Sequence, residues 1–404
     1  MATSKRKNTQ NTKTTACSGG TGCNNKRQCT RSITSTISVK QEPEEEGKKK
    51  ENDNDNTTSP NSHTNDDTLP TRVELSKKLC RIVDTDIYSR EEGLETLKTV
   101  FDWLRQLDLD FLKSFHVLGG VIRVLDFLTA TMEDVHCAGN NRSECIGWAG
   151  GVITNATFLE DDHGNTEDIV TKIVASIVDY DGINTLISAI EEFTDLGGAL
   201  KLAGLENVLG ALRNVIANGS EISKEHRIAV FETCIDVMPH LKSIDATLSN
   251  VGLGHIFVTL SNLVRQGSVT TDYFRHSLTI VSKCLDVFKK NDGTWIDRGE
   301  TVTDWAIVFF IRCYPKRLRV NDDSDYETLL HFYTFALKQH AANTHVRGNV
   351  IRFFRKSCTA VHDKNIIKQS GVMESLALFL GSNEIDDDKK KEVGVLIGKI
   401  AALV

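Results

Sequence analysis

Gly120-Val-Ile-Arg-Val-Leu-Asp-Phe-Leu128, Gly182-Ile-Asn-Thr-Leu-Ile-Ser-Ala-Ile190 and Gly371-Val-Met-Glu-Ser-Leu-Ala-Leu-Phe379 share one pattern. Each places apolar residues one, five and eight positions after a glycine. That spacing lines one face of a helix, with the glycine at the turn that opens it. Val237, Leu241 and Ile244 repeat the spacing, with Asp236 where the glycine would stand. A second helix follows each of the first, with its own signature: Gly151-Val-Ile-Thr-Asn155-Ala, Gly210-Ala-Leu-Arg-Asn214-Val and Val258-Thr-Leu-Ser-Asn262-Leu. The asparagines lie 59 and 48 residues apart. Their counterparts Phe309, Arg355 and Lys399 follow after 47, 46 and 44 residues. Self-similarity at such a period marks an array of stacked units, six here, the early ones stretched by insertions.

From Val73 onward, apolar residues fall at helical spacing almost without pause. Turn signals separate the stripes: Gly119-Gly120, Asp181-Gly182, Asn218-Gly219-Ser220, Asn291-Asp292-Gly293 and Ser370-Gly371. Only Pro239 and Pro315 interrupt the chain after Pro70, and no period-2 strand pattern is present, so the body is expected to be all-α.

The first 72 residues differ in kind. Residues 1–40 carry eight Lys or Arg, fourteen Ser or Thr and no acidic residue; residues 41–70 are acidic and Asn-rich. Neither stretch has the apolar content to offset ordering entropy, and 1–72 reads as a disordered polar tail. Residues 73–117 then read as N-terminal capping helices and 118–404 as the repeat domain. The tail has 12 basic and 9 acidic residues of the chain's 48 and 55, which leaves the body 36 basic and 46 acidic, a net −10. Val39-Lys40-Gln41-Glu42 has the form of a sumoylation acceptor centred on Lys40.

These units resemble the armadillo repeat family. The glycine opening the second helix and the asparagine late in the third carry the resemblance over roughly residues 105–404. HEAT repeats, a related helical solenoid, fit most of the same positions. The resemblance implies a right-handed α-solenoid of about six repeats, because one unit cannot bury its apolar faces alone and stacking buries them in a continuous core. It also implies a concave groove lined by the third helices, with the asparagines holding an extended partner. Residues seven positions earlier share that face, so Trp148, Asn207 and His255 join Asn155, Asn214 and Asn262. Arg213, Arg265, Arg352 and Arg355 supply charge on the same wall. Nuclear-import receptors of the family place a tryptophan four residues before the asparagine. Gly151, Gly210 and Val258 stand there in this chain, which argues against importin-type cargo.

Other chemistry finds little footing. Lys316-Arg317-Leu318-Arg319 is one basic cluster; Arg347, Arg352, Arg355 and Lys356, interleaved with Phe353 and Phe354, form another. Against a net −10 body both read as ordinary surface with the phenylalanines facing the core, and nucleic acid is not the expected partner of the body. His136-Cys137, Cys145, Asp162 and His163 are metal-ligand types without ligand spacing. No catalytic motif occurs, so no enzyme activity and no cofactor is expected. No run of about 18 apolar residues exists for a membrane span, and ten cysteines without paired spacing suit an intracellular chain, cytoplasmic or nuclear. The expected function is a protein-binding scaffold, holding a partner's peptide segment in the groove. The alternatives are a regulator gripping a folded chaperone or GTPase domain, and a nuclear chromatin-associated subunit.

Overall fold

The computed structural model describes residues 71–403, apart from 84–89, 107, 135–138, 159–165, 197–201, 220–221, 243–245, 267–278, 314–322, 358–363 and 382–386. The tail with Lys40, the Lys316–Arg319 cluster, His136, Cys137, Asp162 and His163 lie outside the described residues.

The helices begin with a reciprocal cap. Thr71 N–H donates to Glu74 Oε2 at 2.8 Å, and Glu74 N–H donates to Thr71 Oγ1 at 3.3 Å. These two bonds satisfy donors that the first turn leaves orphaned. The Thr71 N–H bond, and after it the bond that Thr71 Oγ1 donates to the same oxygen at 3.0 Å, hold the Glu74 carboxyl below its usual pKa. Seventeen helices follow among the described residues. They are α1 Arg72–Val83, α2 Arg90–Arg105, α3 Leu109–Val117, α4 Gly120–Glu133, α5 Gly139–Ala156, α6 Thr166–Asp179, α7 Gly182–Leu196, α8 Leu202–Asn218 and α9 Lys224–Lys242. The remainder are α10 Ala246–Arg265, α11 Thr279–Asp286, α12 Glu300–Cys313, α13 Asp323–Gln339, α14 Thr344–Ser357, α15 Lys364–Gln369, α16 Val372–Leu380 and α17 Asp387–Leu403. The all-α expectation holds: the described residues contain one isolated β-bridge, Lys289 with Trp295, and no strand.

The turn signals sit between helices as their chemistry requires. Gly119 enters α4 at φ 68°, a left-handed conformation that costs glycine little. Asp181 takes φ 58° at the entry to α7, where its side chain accepts from Asn184 Nδ2 at 2.8 Å. A short polar side chain is what such a conformation tolerates outside glycine.

Packing follows two successions. In one, α2 packs on α5, α5 on α8, α8 on α10, α10 on α12 and α12 on α14. In the other, α4 packs on α7, α7 on α9, α9 on α11, α11 on α13 and α13 on α16. The middle helices of the first succession, α5, α8, α10 and α12, are buried on most of their surface; every residue from Gly252 to Val264 of α10 is buried. A helix apolar nearly all round is what an interior position requires. Toward the C-terminal half the core becomes aromatic. Phe257, Phe288, Phe309, Phe310 and Phe332 are buried in contact, and Tyr333 stacks on Phe353 at 3.7 Å. Phe353 and Phe354 face the core, as their alternation with arginines suggests.

Between α11 and α12 the chain makes a tight turn, Lys290 N–H donating to Thr294 O and Ile296 N–H to Phe288 O, both at 2.8 Å. Arg298, 2% exposed, clamps this turn to the body through Val287 O (2.8 Å), Ser249 Oγ (3.1 Å) and Lys242 O (3.3 Å).

Candidate partner-binding surface

Asn155, Asn207, Asn214 and Asn218 of the first succession point at the preceding helix. Asn155 Nδ2 donates to Phe101 O of α2 at 3.4 Å, and Asn214 Nδ2 to Thr154 O of α5 at 3.0 Å. Asn207 Nδ2 donates to Gly147 O at 3.1 Å and its own carbonyl accepts from Thr154 Oγ1 at 2.7 Å. Asn218 and Gln266 extend the series, to Thr157 O (3.3 Å) and Ile216 O (2.9 Å). Asn214 and Asn262 are buried, and Asn155 and Asn207 half-buried. These amides bond carbonyls of a neighbouring helix at partly buried positions, which is a joining role.

The recurrence of these bonds fixes which residues correspond between helices. Arg312 Nη1 donates to Ser261 O at 2.7 Å and Ser261 Oγ at 2.6 Å, from α12 back to α10. Ser261 precedes Asn262 as Thr154 precedes Asn155, so Arg312 occupies in α12 the place of Asn214 in α8. Phe309, the counterpart that spacing suggested, is instead buried in the aromatic core. In α14, Asn349 Nδ2 reaches Asp304 of α12 at 2.8 Å, eight residues before Arg312, as Asn207 reaches Gly147, eight before Asn155. That register puts Lys356, one residue beyond Arg355, at the asparagine's place.

The two helices α5 and α8 meet backbone to backbone. A Cβ on Gly147 would stand 2.7 Å from Gly204 Cα, and one on Gly150 2.9 Å from Val208 N. The ring of Phe101 lies 3.0 Å from where a Gly151 Cβ would be, so a tryptophan has no room there. Trp148 packs edge-on against Phe101 at 5.1 Å and is half-buried, with Lys98 Nζ 5.8 Å from its ring.

Beside this seam lies a buried polar cluster. Arg213 bonds Asn214 Oδ1 through Nε (3.0 Å) and Nη2 (2.7 Å), and its Nη1 meets His255 Nδ1 at 3.2 Å. Burial lowers the Arg213 pKa to about 10. Burial, and then the Arg213 charge, hold His255 well below its usual value. The imidazole is therefore neutral and its Nδ1 accepts. One turn before Gly210, Glu206 is buried, its Oε1 has no hydrogen-bond partner, and desolvation raises its pKa to about 8. Sequence reading passed over Glu206, which no motif marks.

Compared with models of known protein families and with curated proteins, the chain matches none.

Further along the succession the polar residues change character. Arg265, Arg352 and Arg355 are exposed and Arg312 half-buried, on α10, α14, α14 and α12. Desolvation lowers the Arg312 pKa to about 10, and the charges of Arg265 and Arg352 add to the shift. Among the described residues neither Arg265 nor Arg352 forms an ion pair, whereas Arg355 Nη1 meets Glu392 Oε1 of α17 at 2.8 Å. A cavity of about 430 Å³ opens between α14 and α17, lined by Arg347, Arg352, Arg355 and Lys389, with Glu392 the one carboxylate among the described residues. Of the ten residues that sequence reading placed on a groove, Arg265, Arg352 and Arg355 therefore offer exposed side chains, while Arg213, Asn214, His255 and Asn262 are buried. No group of three metal-ligating side chains exists among the described residues, and no single helix there is long and apolar enough to cross a membrane.

Proposed function

We propose that this chain is a non-enzymatic binding protein, an armadillo-like α-solenoid of about six repeats that holds an acidic segment of a partner protein. The two successions of helices, each element packed on the next, support the solenoid reading, as does the cross-helix bond that recurs from α5 to α14. The observation that carries the binding reading is the strip Arg265–Arg312–Arg352. Three cations stand side by side on successive helices of a body whose net charge is −10. Like charges gathered in this way repel one another, and an anionic ligand relieves the repulsion. In this reading the asparagines set the spacing of the helices, and the arginines choose the partner.

The test is fluorescence anisotropy of a labelled polyglutamate peptide on the full chain, beside the double variant Arg265→Glu/Arg352→Glu. Both residues are exposed, so the fold should survive, which circular dichroism checks. Binding to the parent chain, weakening with salt and lost in the variant, is the expected result. Equal binding by both proteins would sink the reading. Preference for a DNA duplex over polyglutamate would move it to a nucleic-acid partner.

A further inference from the structure

We propose that the cavity between α14 and α17 receives a phosphate monoester carried on the partner's acidic segment, a phosphoserine or phosphothreonine. The inference rests on the acidic-segment reading and names the group that completes it.

The cavity's character comes from one face of α14. Arg347, Ile351, Arg352 and Arg355 recur at helical spacing, and Lys389 closes the opposite side from α17. Ile351, 7% exposed, gives an apolar floor. Gly348, on the same face, has nothing within 4 Å of where a Cβ would be, so the helix leaves the space open. A volume of about 430 Å³ admits a phosphorylated side chain with room for the flanking backbone.

Arg347 decides the sign of the ligand. It is 4% exposed, held by a bond from Nη1 to Ala341 O at 3.3 Å and by the Phe379 ring 5.3 Å from its Cζ. Among the described residues no carboxylate pairs with it. A guanidinium taken out of water with no anion beside it is costly, and an incoming anion removes that cost. Glu392 is engaged with Arg355, while among the described residues Arg347 and Arg352 meet no carboxylate; Asp387 and Asp388 lie exposed at the start of α17. The surplus exceeds what one carboxylate neutralises and suits a phosphate monoester, with a charge of about −1.5 to −2 and three acceptor oxygens. Planar guanidinium forks bind such oxygens in pairs.

The experiment retains a degenerate peptide library with a fixed central phosphoserine on the immobilised full chain. The same library with serine is run in parallel. Retention of the phosphorylated library at least about tenfold above the serine library is expected. The gap should close in Lys389→Gln/Arg355→Gln, whose side chains are exposed, while Arg265→Glu weakens both libraries alike. Equal retention of the two libraries overturns the phosphate site but leaves the acidic-segment reading standing if polyglutamate still binds. Failure of polyglutamate as well takes down both. A gap that persists in Lys389→Gln/Arg355→Gln overturns the placement in this cavity. Free phosphoserine binding as tightly as the peptides overturns the partner-segment assignment and makes the cavity a small-anion site.

Discussion

Arg312 ties α12 to Ser261 of α10 by the bond with which Asn214 ties α8 to Thr154 of α5. A cation and an amide thus do one mechanical task, and the difference between them is what remains exposed beyond the bond. Asn214 is spent within the interior. Arg312 keeps a guanidinium near Arg265 and Arg352.

Asn214→Ala takes from Thr154 O its shorter side-chain donor, leaving only Thr157 Oγ1 at 3.3 Å, and removes the acceptor of two Arg213 bonds. A loss of about 2–3 kcal/mol is expected in denaturant unfolding. Asn155→Ala, which removes a longer bond from a half-buried site, should cost less, about 0.5–1 kcal/mol. Equal losses at the two positions would contradict the joining role assigned here.

Gly147→Ala forces a methyl group against the α-carbon of Gly204, and backbone has no rotamer with which to yield. About 1–3 kcal/mol of destabilisation is expected. Gly398→Ala in the exposed face of α17 meets nothing within 4 Å and should gain about 0.5–1 kcal/mol through helix propensity. Thermal unfolding of the two variants, shifted in opposite directions, checks both.

Glu206 makes stability fall with pH. Its folded pKa of about 8 lies above the ordinary 4.5, so between those values the folded protein holds a proton that the unfolded chain releases. Its contribution is full below pH 4.5 and declines as pH rises to 8, by at most about 1.4 kcal/mol per unit. His255, with a lowered pKa, acts the other way: its contribution is full above pH 6.5 and falls as pH drops below it. Glu206→Gln should therefore be more stable than the parent at pH 8 and differ little at pH 4.5, by urea unfolding at each pH. A difference independent of pH would remove the assignment.

Cys234 and Cys284 are fully buried, and burial raises the first thiol to about 12 and the second well above its ordinary value. Neither forms the reactive thiolate at neutral pH. Iodoacetamide at pH 8 should leave both unmodified in the native protein and alkylate both in urea, read by peptide mass spectrometry.

The helices were legible because glycine-opened apolar stripes encode them locally: Val121, Leu125 and Leu128 are all buried, as are Val372, Leu376 and Phe379. The inter-helix register was legible only while the donor stayed an asparagine. When arginine takes the place, at Arg312, spacing alone selects Phe309, whose ring faces the core. The cavity was hidden for another reason. Arg347, Arg352 and Arg355 read as ordinary surface until tertiary packing brings Lys389 and Glu392 from a helix some forty residues on. Glu206 was hidden because burial of a lone carboxylate leaves no trace in sequence.

The main helix contacts join elements no more than three places apart along the chain. Tension applied between the ends would therefore meet, among the described residues, no main helix contact that clasps the two halves together. Such a chain should yield under load a few helices at a time, lengthening in steps and recoiling as each neighbour re-seats, in the manner of a spring.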